Sequence, residues 1–333
     1  MLVMTEQLEV LLGMEDYLDK LSAQHDSRRK HYWPAELLEC NEGEDVDLSA
    51  LKELRANAAG IPDVARINIA MGMLTEEGLP MFHGVWATKF PTDSAWARWL
   101  NLWTAEEDRH GNVLRDYCRD TRILNMAAYE RVQFGYLRKG RNVIKQDNPY
   151  KLICYASVQE RLTQLIHDAT GKMAGAYEPR IRDILHLVAM DEARHHAAYA
   201  QLFGEILKRD PMGGLRTAAE ILGGIDMPSD SADGFSAWAE VLHRSGAFDM
   251  RMHIDTAERL IKMWGIADMT DLSEQGRKYQ ERVMNAPRDL TRIARMVERR
   301  QSRETFRAKF EILGDREVII APRTIDPDMK MAS

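Results

Sequence analysis

Two short stretches decide the fold of this chain: Glu107-Asp108-Arg109-His110 and Glu192-Ala193-Arg194-His195. In each stretch a Glu precedes a His by three residues, and residues at that spacing lie on one face of an α-helix, about one turn apart. Such a pair can offer a metal ion one carboxylate oxygen and one imidazole nitrogen. An acid also precedes each pair, Glu106 in the first and Asp191 in the second. The two stretches therefore predict two helices that each carry a pair of metal ligands.

The spacing alone is weak evidence for a site. With 52 acidic residues and 10 histidines in 333 residues, composition would produce on the order of one Glu-x-x-His by chance. The chain holds a third copy, Glu240-Val241-Leu242-His243, which has no acid before Glu240 and is cut off by Ser245-Gly246. The surroundings of each copy must therefore distinguish a site from a coincidence.

Apolar stripes turn the first two copies toward the protein interior. Three tryptophans between residues 92 and 122 recur at three- to four-residue spacing, in line with Glu107 and His110. An aliphatic stripe between residues 181 and 202 includes Glu192 and His195 in the same way. A carboxylate that points into a core is costly unless it is paired or bound to a metal. Both pairs are therefore predicted to face a buried metal site.

Two further predicted helices each carry one acid inside an apolar or small-residue stripe: Glu76 between residues 63 and 88, and Glu160 between residues 149 and 174. One Glu from each of two helices, plus Glu-x-x-His from each of two others, is the ligand set of ferritin-like di-iron carboxylate bundles. The predicted ligands are Glu76, Glu107, His110, Glu160, Glu192 and His195. Carboxylates and imidazoles suit iron or manganese.

Glu106 and Asp191 have a predicted role beside these ligands. Each can accept the second N–H of a ligand histidine on a facing helix and so fix its tautomer and orientation. The alternative is that they are solvated neighbours that follow the helix.

The remaining sequence predicts an all-α protein, because helix formers dominate and period-two alternation is scarce. The predicted helices cover about 5–25, 63–88 with a kink at Pro80, 92–122, 125–139, 147–174 and 178–210, with further helices after Pro228 and the last two divided by Pro287. Residues 310–322 can form a short extended piece. No Pro/Ser-rich linker interrupts the chain, so residues 1–322 are expected to form one domain, with 323–333 as a C-terminal tail.

Charge and composition exclude some classes of protein. A net charge of −7 argues against a general nucleic-acid binder. Basic residues nonetheless cluster between Arg115 and Lys145 and between Arg288 and Arg307; these are solvated helix faces or a docking patch for an acidic partner. The sequence contains no run of 18 apolar residues, so it predicts no membrane span. Three widely spaced cysteines and the lack of a leader-like N-terminus predict a cytoplasmic location.

Four segments resemble, in order, the ligand motifs of the soluble acyl-ACP desaturases of plastid and actinobacterial type. The segments are Thr75-Glu76-Glu77-Gly78-Leu79-Pro80, Trp103-Thr104-Ala105-Glu106-Glu107-Asp108-Arg109-His110-Gly111, Ser157-Val158-Gln159-Glu160-Arg161 preceded by Pro149-Tyr150, and Asp191-Glu192-Ala193-Arg194-His195. The similarity continues at a low level from about residue 8 to Val318. It covers nearly the whole chain.

The resemblance implies a fold, a reaction and partners. The fold is a ferritin-like helical bundle with extra helices at both ends, normally a homodimer. The reaction introduces a cis double bond into an acyl chain on acyl carrier protein, with two iron ions per subunit, O₂ as co-substrate and ferredoxin as electron donor. Acyl carrier protein is small and acidic, which gives the basic clusters a purpose. Thr163 lies one turn beyond Glu160, where the family has a Thr beside the O₂ site that helps to deliver protons; the alternative is a helix Thr bonded to a backbone carbonyl.

The chain also departs from the family pattern. His83 and Trp86 follow Glu76 on the face that should border the substrate channel, Trp86 is bulkier than the aliphatic residue expected there, and Leu152 stands where plant enzymes have Gly. These side chains are predicted to shorten or bend the channel, unless they only repack the core. Tyr32-Trp33-Pro34 replaces a Trp-x-Pro element associated with electron transfer.

Two other functions remain open at this level. A di-iron oxygenase could hydroxylate or N-oxygenate a carrier-bound substrate, and the altered channel residues favour that alternative. A non-enzymatic protein could bind iron or the carrier without catalysis. Product mass separates the first alternative from desaturation, because a desaturase removes two hydrogens and an oxygenase adds one oxygen.

Overall fold

The computed structural model describes residues 2–38, 47–140, 148–224 and 232–323. The helices of the first half are α1 (Leu2–Leu12), α2 (Glu15–Arg28), α3 (Leu48–Ala58), α4 (Asp63–Glu76), α5 (Leu79–Ala87), α6 (Ala95–Thr121) and α7 (Met126–Lys139). Those of the second half are α8 (Pro149–Gly175), α9 (Pro179–Arg209), α10 (Pro211–Ile221), α11 (Phe235–Ser245), α12 (Met250–Met263) and α13 (Glu274–Gln301). A small antiparallel hairpin follows, β1 (Phe306–Phe310) paired with β2 (Arg316–Ile320). The prediction of an all-α protein is confirmed.

Four long helices form the centre of the molecule. Helix α4 packs against α6 and α8, and α9 packs against the same two helices from the other side. Large side chains fill the space around them, among them Trp96, Trp99, Tyr199 and Phe203, each no more than 1% exposed. Burial of each of these large side chains stabilises the folded state by about 1.5–3 kcal/mol. The stripes that the sequence predicts to face inward therefore do so.

Polar caps set where three of these helices begin. The side chains of Ser94, Asn148 and Glu178 each accept hydrogen bonds from backbone N–H groups in the first turns of α6, α8 and α9. Pro149 and Pro179 occupy the first positions of α8 and α9, where a missing N–H costs nothing. Because the starting residue fixes the rotation of each helix, the caps help to place the inward-facing acids.

The other helices surround this centre. Helices α1 and α2 pack on α8, α9 and α6, α11 packs on α4, and α10 and α12 pack between α8 and α13. The predicted extra helices at both ends of the bundle are confirmed. In the part of the chain that the structure describes, no helix combines the length and apolar character needed to cross a membrane.

The helix that the sequence predicts over residues 63–88 is interrupted near Pro80, as predicted, but the interruption is a full break into two helices, because a proline at position 80 cannot bond to the carbonyl of Glu76. The break falls at Glu77-Gly78, and Pro80 lies in the first turn of α5, where its missing N–H has no helical partner to lose. A side chain at Gly78 would have its Cβ 2.5 Å from the Tyr136 hydroxyl. Close packing of α7 against this break thus requires a glycine.

Three other boundaries differ from the prediction. Residues 5–25 are divided into α1 and α2 around Gly13. Helix α3 is not among the predicted helices; it is capped by Asp47, whose Oδ1 accepts from the Ser49 N–H at 2.8 Å. The predicted division at Pro287 is wrong because α13 continues through it. Val283 and Leu290, on either side of this proline, are both buried, so packing outweighs the one lost hydrogen bond.

Some predictions fall outside the described residues. They concern Cys40 (one of the three cysteines), Arg141 and Lys145 of the first basic cluster, and residues 324–333 of the predicted tail.

Candidate metal centre

Helices α4, α6, α8 and α9 bring the six predicted ligands into two groups of buried side chains. In each group, one potential ligand atom per residue lies within 4.8 Å of all the others. The His110 group consists of Glu76, Glu107, His110 and Glu192. The His195 group consists of Glu107, Glu160, Glu192 and His195. Because Glu107 and Glu192 belong to both groups, the arrangement has the form of two adjacent metal sites that share two carboxylates.

The inner nitrogens of the two histidines face carboxylate oxygens. His195 Nδ1 lies 2.7 Å from Glu107 Oε1 and 3.6 Å from Glu160 Oε2. His110 Nδ1 lies 3.2 Å from Glu192 Oε1. Both Nδ1 atoms and Glu107 Oε1 are buried without a hydrogen-bond partner. Unpaired lone pairs that converge in a buried space are what a cation requires, so the donor set fits metal ions.

The outer nitrogens of the same histidines face the two acids that precede each ligand pair. His195 Nε2 lies 2.8 Å from Glu106 Oε2, and His110 Nε2 lies 3.2 Å from Asp191 Oδ2. A carboxylate can only accept, so each Nε2 donates its hydrogen and each Nδ1 keeps a lone pair for a metal. Both acids are only 1% exposed, which excludes the alternative of solvated neighbours.

Burial and mutual repulsion shift the acidities of the four central carboxylates. Burial raises the pKa of Glu160 well above its usual range, and the negative charges of Glu192 and Glu107 raise it further. Burial and then Glu192 also raise the pKa of Glu107. Burial alone would raise the pKa of Glu76 and Glu192 too, but the adjacent His110 ring outweighs it and holds the pKa of both below the ordinary value. Concentrated negative charge of this kind is relieved by bound cations.

Neighbouring side chains hold two of the carboxylates in place. His167 Nε2 lies 2.8 Å from Glu76 Oε1. Trp103 Nε1 donates to Glu160 Oε1 at 3.2 Å. Glu76 and Glu160 each come from a helix without a Glu-x-x-His. Each is oriented by a side chain of another helix, Glu76 by His167 of α8 and Glu160 by Trp103 of α6.

The Thr163 hydroxyl adjoins the same centre. Its Oγ1 lies 3.1 Å from Glu192 Oε2 and 3.1 Å from each of the backbone oxygens of Gln159 and Glu160. One hydroxyl hydrogen therefore has three acceptors within reach. The two interpretations of Thr163 from the sequence are compatible, because its hydroxyl hydrogen can point to the helix backbone in one orientation and to Glu192 in another.

A cavity of about 50 Å³ opens against the carboxylates. Its polar wall includes Glu76, Glu107, Glu160, Glu192 and Thr163. Its remaining wall is mostly apolar and aromatic: Leu79, Phe82, Trp86, Trp103, Tyr155, Ala156 and Tyr199. The two metal-capable groups thus adjoin a space whose wall is mostly apolar.

The three predicted channel residues occupy different places. Trp86 lines the cavity and lies 5.6 Å from the Tyr199 ring, centroid to centroid. His83 does not line it, because its Nδ1 hydrogen-bonds to Thr104 Oγ1 at 2.8 Å between α5 and α6. Leu152 is fully buried one turn before the cavity wall, which begins on α8 with Tyr155. Trp86 is therefore the predicted channel residue that contacts this space.

The third Glu-x-x-His lies elsewhere and has other contacts. Glu240 accepts from Arg244 Nε at 2.6 Å and from Arg300 Nη2 at 2.6 Å. The His243 ring packs edge-on against Phe248 at 4.9 Å. Among the described residues, neither belongs to a group that could hold a metal ion.

Two buried histidines beside the centre have contacts that the sequence analysis does not assign. His167 shares its helical face with Glu160 and could have been found from that spacing. His25 lies one turn after Leu21 and two after Leu18 on an apolar face of α2, so its burial could be predicted. Its partner Glu106 could not, because 81 residues separate them.

Comparisons with known proteins agree with this geometry. A profile described as fatty acid desaturase matches residues 6–313. Acyl-[acyl-carrier-protein] desaturase 4, chloroplastic, from Oryza sativa subsp. japonica is 32% identical over 293 residues, which cover 80% of this chain and 69% of that protein. Stearoyl-[acyl-carrier-protein] 9-desaturase, chloroplastic, from Gossypium hirsutum is 28% identical over 328 residues, which cover 94% and 82%.

A solved structure is similar in fold. The X-ray structure of DesA2 from Mycobacterium tuberculosis H37Rv, a candidate acyl-ACP desaturase, aligns with a TM-score of 0.55 at 17% identity, over 81% of this chain and 99% of that one. At this identity the likeness concerns the helical fold alone. The family profile and the relatives at about 30% identity carry the assignment. The chain therefore belongs to the fatty acid desaturase family and has its ferritin-like helical fold.

Proposed function

We propose that the protein is an O₂-dependent di-iron desaturase that introduces a cis double bond into an acyl chain carried on acyl carrier protein. The observation that carries the proposal is the position of the two metal-capable groups, which share Glu107 and Glu192 and adjoin an apolar cavity. Membership of the desaturase family, with relatives named acyl-[acyl-carrier-protein] desaturases, supports the same substrate class.

The proposed metal ligands are the six residues predicted from the sequence. The His110 group would hold one iron ion and the His195 group the other, because both present carboxylate oxygens and an imidazole nitrogen. When bound, the two iron ions would supply activation of O₂ and removal of hydrogen from unactivated C–H bonds. Over the reaction, O₂ and the two hydrogens leave as two water molecules, with two electrons and two protons taken from outside.

The chain's own residues would position the substrate and exclude water. The apolar wall of the cavity, from Leu79 and Phe82 to Tyr155, suits a hydrocarbon chain. Its exclusion of water strengthens electrostatic interactions at the reacting carbon atoms. Trp86 stacks against Phe90, with ring centroids 6.4 Å apart, and so closes one part of the wall with rigid aromatic surface. We propose that Trp86 limits how far an acyl chain extends past the metal ligands.

Thr163 is the proposed proton-handling residue. Its hydroxyl lies on the cavity wall within 3.1 Å of Glu192 Oε2. From there it can receive a proton on one lone pair while it donates its own hydrogen to the carboxylate.

The proposed protein partners are acyl carrier protein and a ferredoxin, and the proposed assembly is a homodimer. Both basic clusters are candidates for docking the carrier. Arg119, Arg122 and Arg131 of the first cluster are exposed, as are Arg288, Arg292 and Arg299 of the second. Buried thiols at Cys118 and Cys154 fit the reducing cytoplasm, which is the proposed location.

Product analysis tests the proposal. The iron-loaded protein would be supplied with reduced ferredoxin, O₂ and a panel of acyl carrier proteins that bear chains of different length. We expect a product lighter by two hydrogens, whose double-bond position is then read from fragmentation. A product heavier by one oxygen would establish the oxygenase alternative instead. O₂ consumption that no acyl carrier stimulates would overturn the assigned substrate class.

A further inference from the structure

A histidine outside the six ligands reaches the metal centre from the N-terminal part of the chain. His25 lies on α2, its side chain is 3% exposed, and its Nε2 is 2.8 Å from Glu106 Oε2. His195 Nε2 lies 2.8 Å from the same oxygen atom. Two imidazoles from helices far apart in sequence therefore share one carboxylate oxygen.

The shared oxygen determines where both imidazole hydrogens lie. A carboxylate oxygen has two lone pairs and no hydrogen, so it can accept from both Nε2 atoms at once. Arg29 Nη1 occupies the other oxygen, Glu106 Oε1, at 3.2 Å. With donors on both oxygens, the Glu106 carboxylate has one preferred orientation. In that orientation His195 keeps its Nδ1 lone pair directed at Glu107 and Glu160.

Ring contacts hold His25 in the position that this requires. Its ring lies nearly parallel to that of His195, with centroids 5.6 Å apart and an angle of 11° between the planes. Trp99 meets it edge-on, with centroids 5.2 Å apart. Since Glu106 and these neighbours are buried, the hydrogen bond lies in surroundings of low dielectric, where it is stronger than in water.

The other half of the centre is built differently. Asp191 Oδ2 accepts from His110 at 3.2 Å and from Arg109 at 3.1 Å. The second partner of Asp191 is thus an arginine. The contacts described for His25 are with Glu106, His195 and Trp99 and not with His110 or Asp191.

We propose that His25 is a positioning residue for the His195 group. It donates Nε2–H to Glu106 and so holds this carboxylate in one orientation. The Glu106 carboxylate in turn sets the tautomer and the ring orientation of His195. The inference rests on the proposed function in so far as the His195 group binds a metal. Outer partners of ligand histidines typically change metal affinity by about 10–100-fold when removed. Because His25 acts through Glu106, we expect the lower end, about tenfold, confined to one of the two metal ions.

Cobalt titration of the metal-free full-length chain tests the proposal, with Co²⁺ as a probe whose visible bands report its ligands. His25→Phe keeps the ring and removes the donor, whereas His25→Gln keeps an N–H that can reach Glu106. His253→Phe is the matched control, because His253 is also a buried histidine but lies on α12.

We expect the two bound Co²⁺ ions to differ in how their affinity and visible bands respond to the substitutions. In His25→Phe one equivalent binds about tenfold more weakly with altered visible bands, and the other is unchanged. His25→Gln restores both affinity and bands, and His253→Phe matches the parent chain in both. Equal weakening of both equivalents, or a Gln variant as impaired as the Phe variant, would show that His25 only packs and would overturn the proposal.

Two further outcomes distinguish this inference from the proposed function. If the parent chain binds no Co²⁺ in the six-residue centre, the inference and the di-iron assignment both fall. If the cobalt pattern is as expected but no acyl carrier yields an unsaturated product, the role of His25 stands and the desaturase assignment falls.

Discussion

The chain contains the same Glu-x-x-His spacing in two kinds of surroundings. Glu192 and His195 lie on the buried face of α9, where the outer nitrogen of the histidine meets Glu106 at 2.8 Å and the inner one meets carboxylates. Glu240 and His243 lie on α11, where the carboxylate is neutralised by arginines and the ring packs on Phe248. Helical spacing places a Glu and a His side by side in both cases.

The difference between them is how each negative charge is balanced. Arg244 and Arg300 already supply positive charge to Glu240, so a metal ion would gain little there. Around His195 three buried carboxylates converge, and the described cationic side chains contact the outer acids instead. A Glu-x-x-His is thus a metal site only where the fold leaves its charge without a protein partner.

The largest expected effect is loss of the metal itself. Glu160→Ala or His195→Ala should remove most bound iron and the associated O₂ consumption, since each deletes a donor from the His195 group. Iron per chain after gel filtration measures this, and circular dichroism checks that the helices remain. His243→Ala is the matched control and should bind iron like the parent chain. Equal iron loss in all three variants would contradict the assignment.

A smaller effect is expected from the outer acid. Glu106→Gln keeps the shape of the side chain but removes the charge that fixes His195, so iron affinity should fall by about 10–100-fold. Competition with a chelator of known affinity measures the change. The comparison variant is Glu240→Gln, which carries the same substitution next to the other pair. The interpretation of Glu106 fails if both variants hold iron equally well.

Buried histidines without an acidic partner should make the folded state sensitive to acid. Burial lowers the pKa of His196 and of His253 to about 4, from an ordinary 6.5. Between these values the unfolded chain binds protons that the folded chain does not, so stability falls as the pH drops through this range. Each histidine should cost about 2 kcal/mol between pH 7 and pH 5.

Urea unfolding of the metal-free chain at the two pH values measures this loss. His253→Phe should reduce the loss by the contribution of one histidine. An unchanged pH dependence in that variant would mean that His253 is accessible to protons in the folded state.

The smallest expected effect concerns the stability of the third copy. Glu240→Gln removes the charge opposite Arg244, whose side chain is 3% exposed, and should lower the free energy of unfolding by about 1 kcal/mol. Arg244 keeps its bonds to the backbone oxygens of Gln301 and Glu304, which limits the loss. Thermal unfolding measures it, and a much larger destabilisation would mean that the charge pair dominates this contact.

Much of the fold was predictable because periodicity and helix breaks are local properties. The stripes through Trp96 and Trp99 and the prolines at positions 149 and 179 place α6, α8 and α9 within a few residues. The break after Glu76 follows from Pro80, whose ring clashes with the carbonyl four residues earlier, but the need for glycine at position 78 was not predictable, because it depends on how closely the Tyr136 hydroxyl approaches. Packing between α7 and the break is a tertiary contact.

The sequence by itself determined the helical class, the face of each helix that is buried and the chemical type of the proposed ligands. These follow from residue identity and spacing within single helices. Only the tertiary structure decided that Glu107 and Glu192 belong to both metal-capable groups, that His25 shares an oxygen of Glu106 with His195, and that Glu240 is neutralised by Arg300. Each of these contacts joins residues far apart in the chain, so its distance depends on how separate helices pack and not on any local pattern.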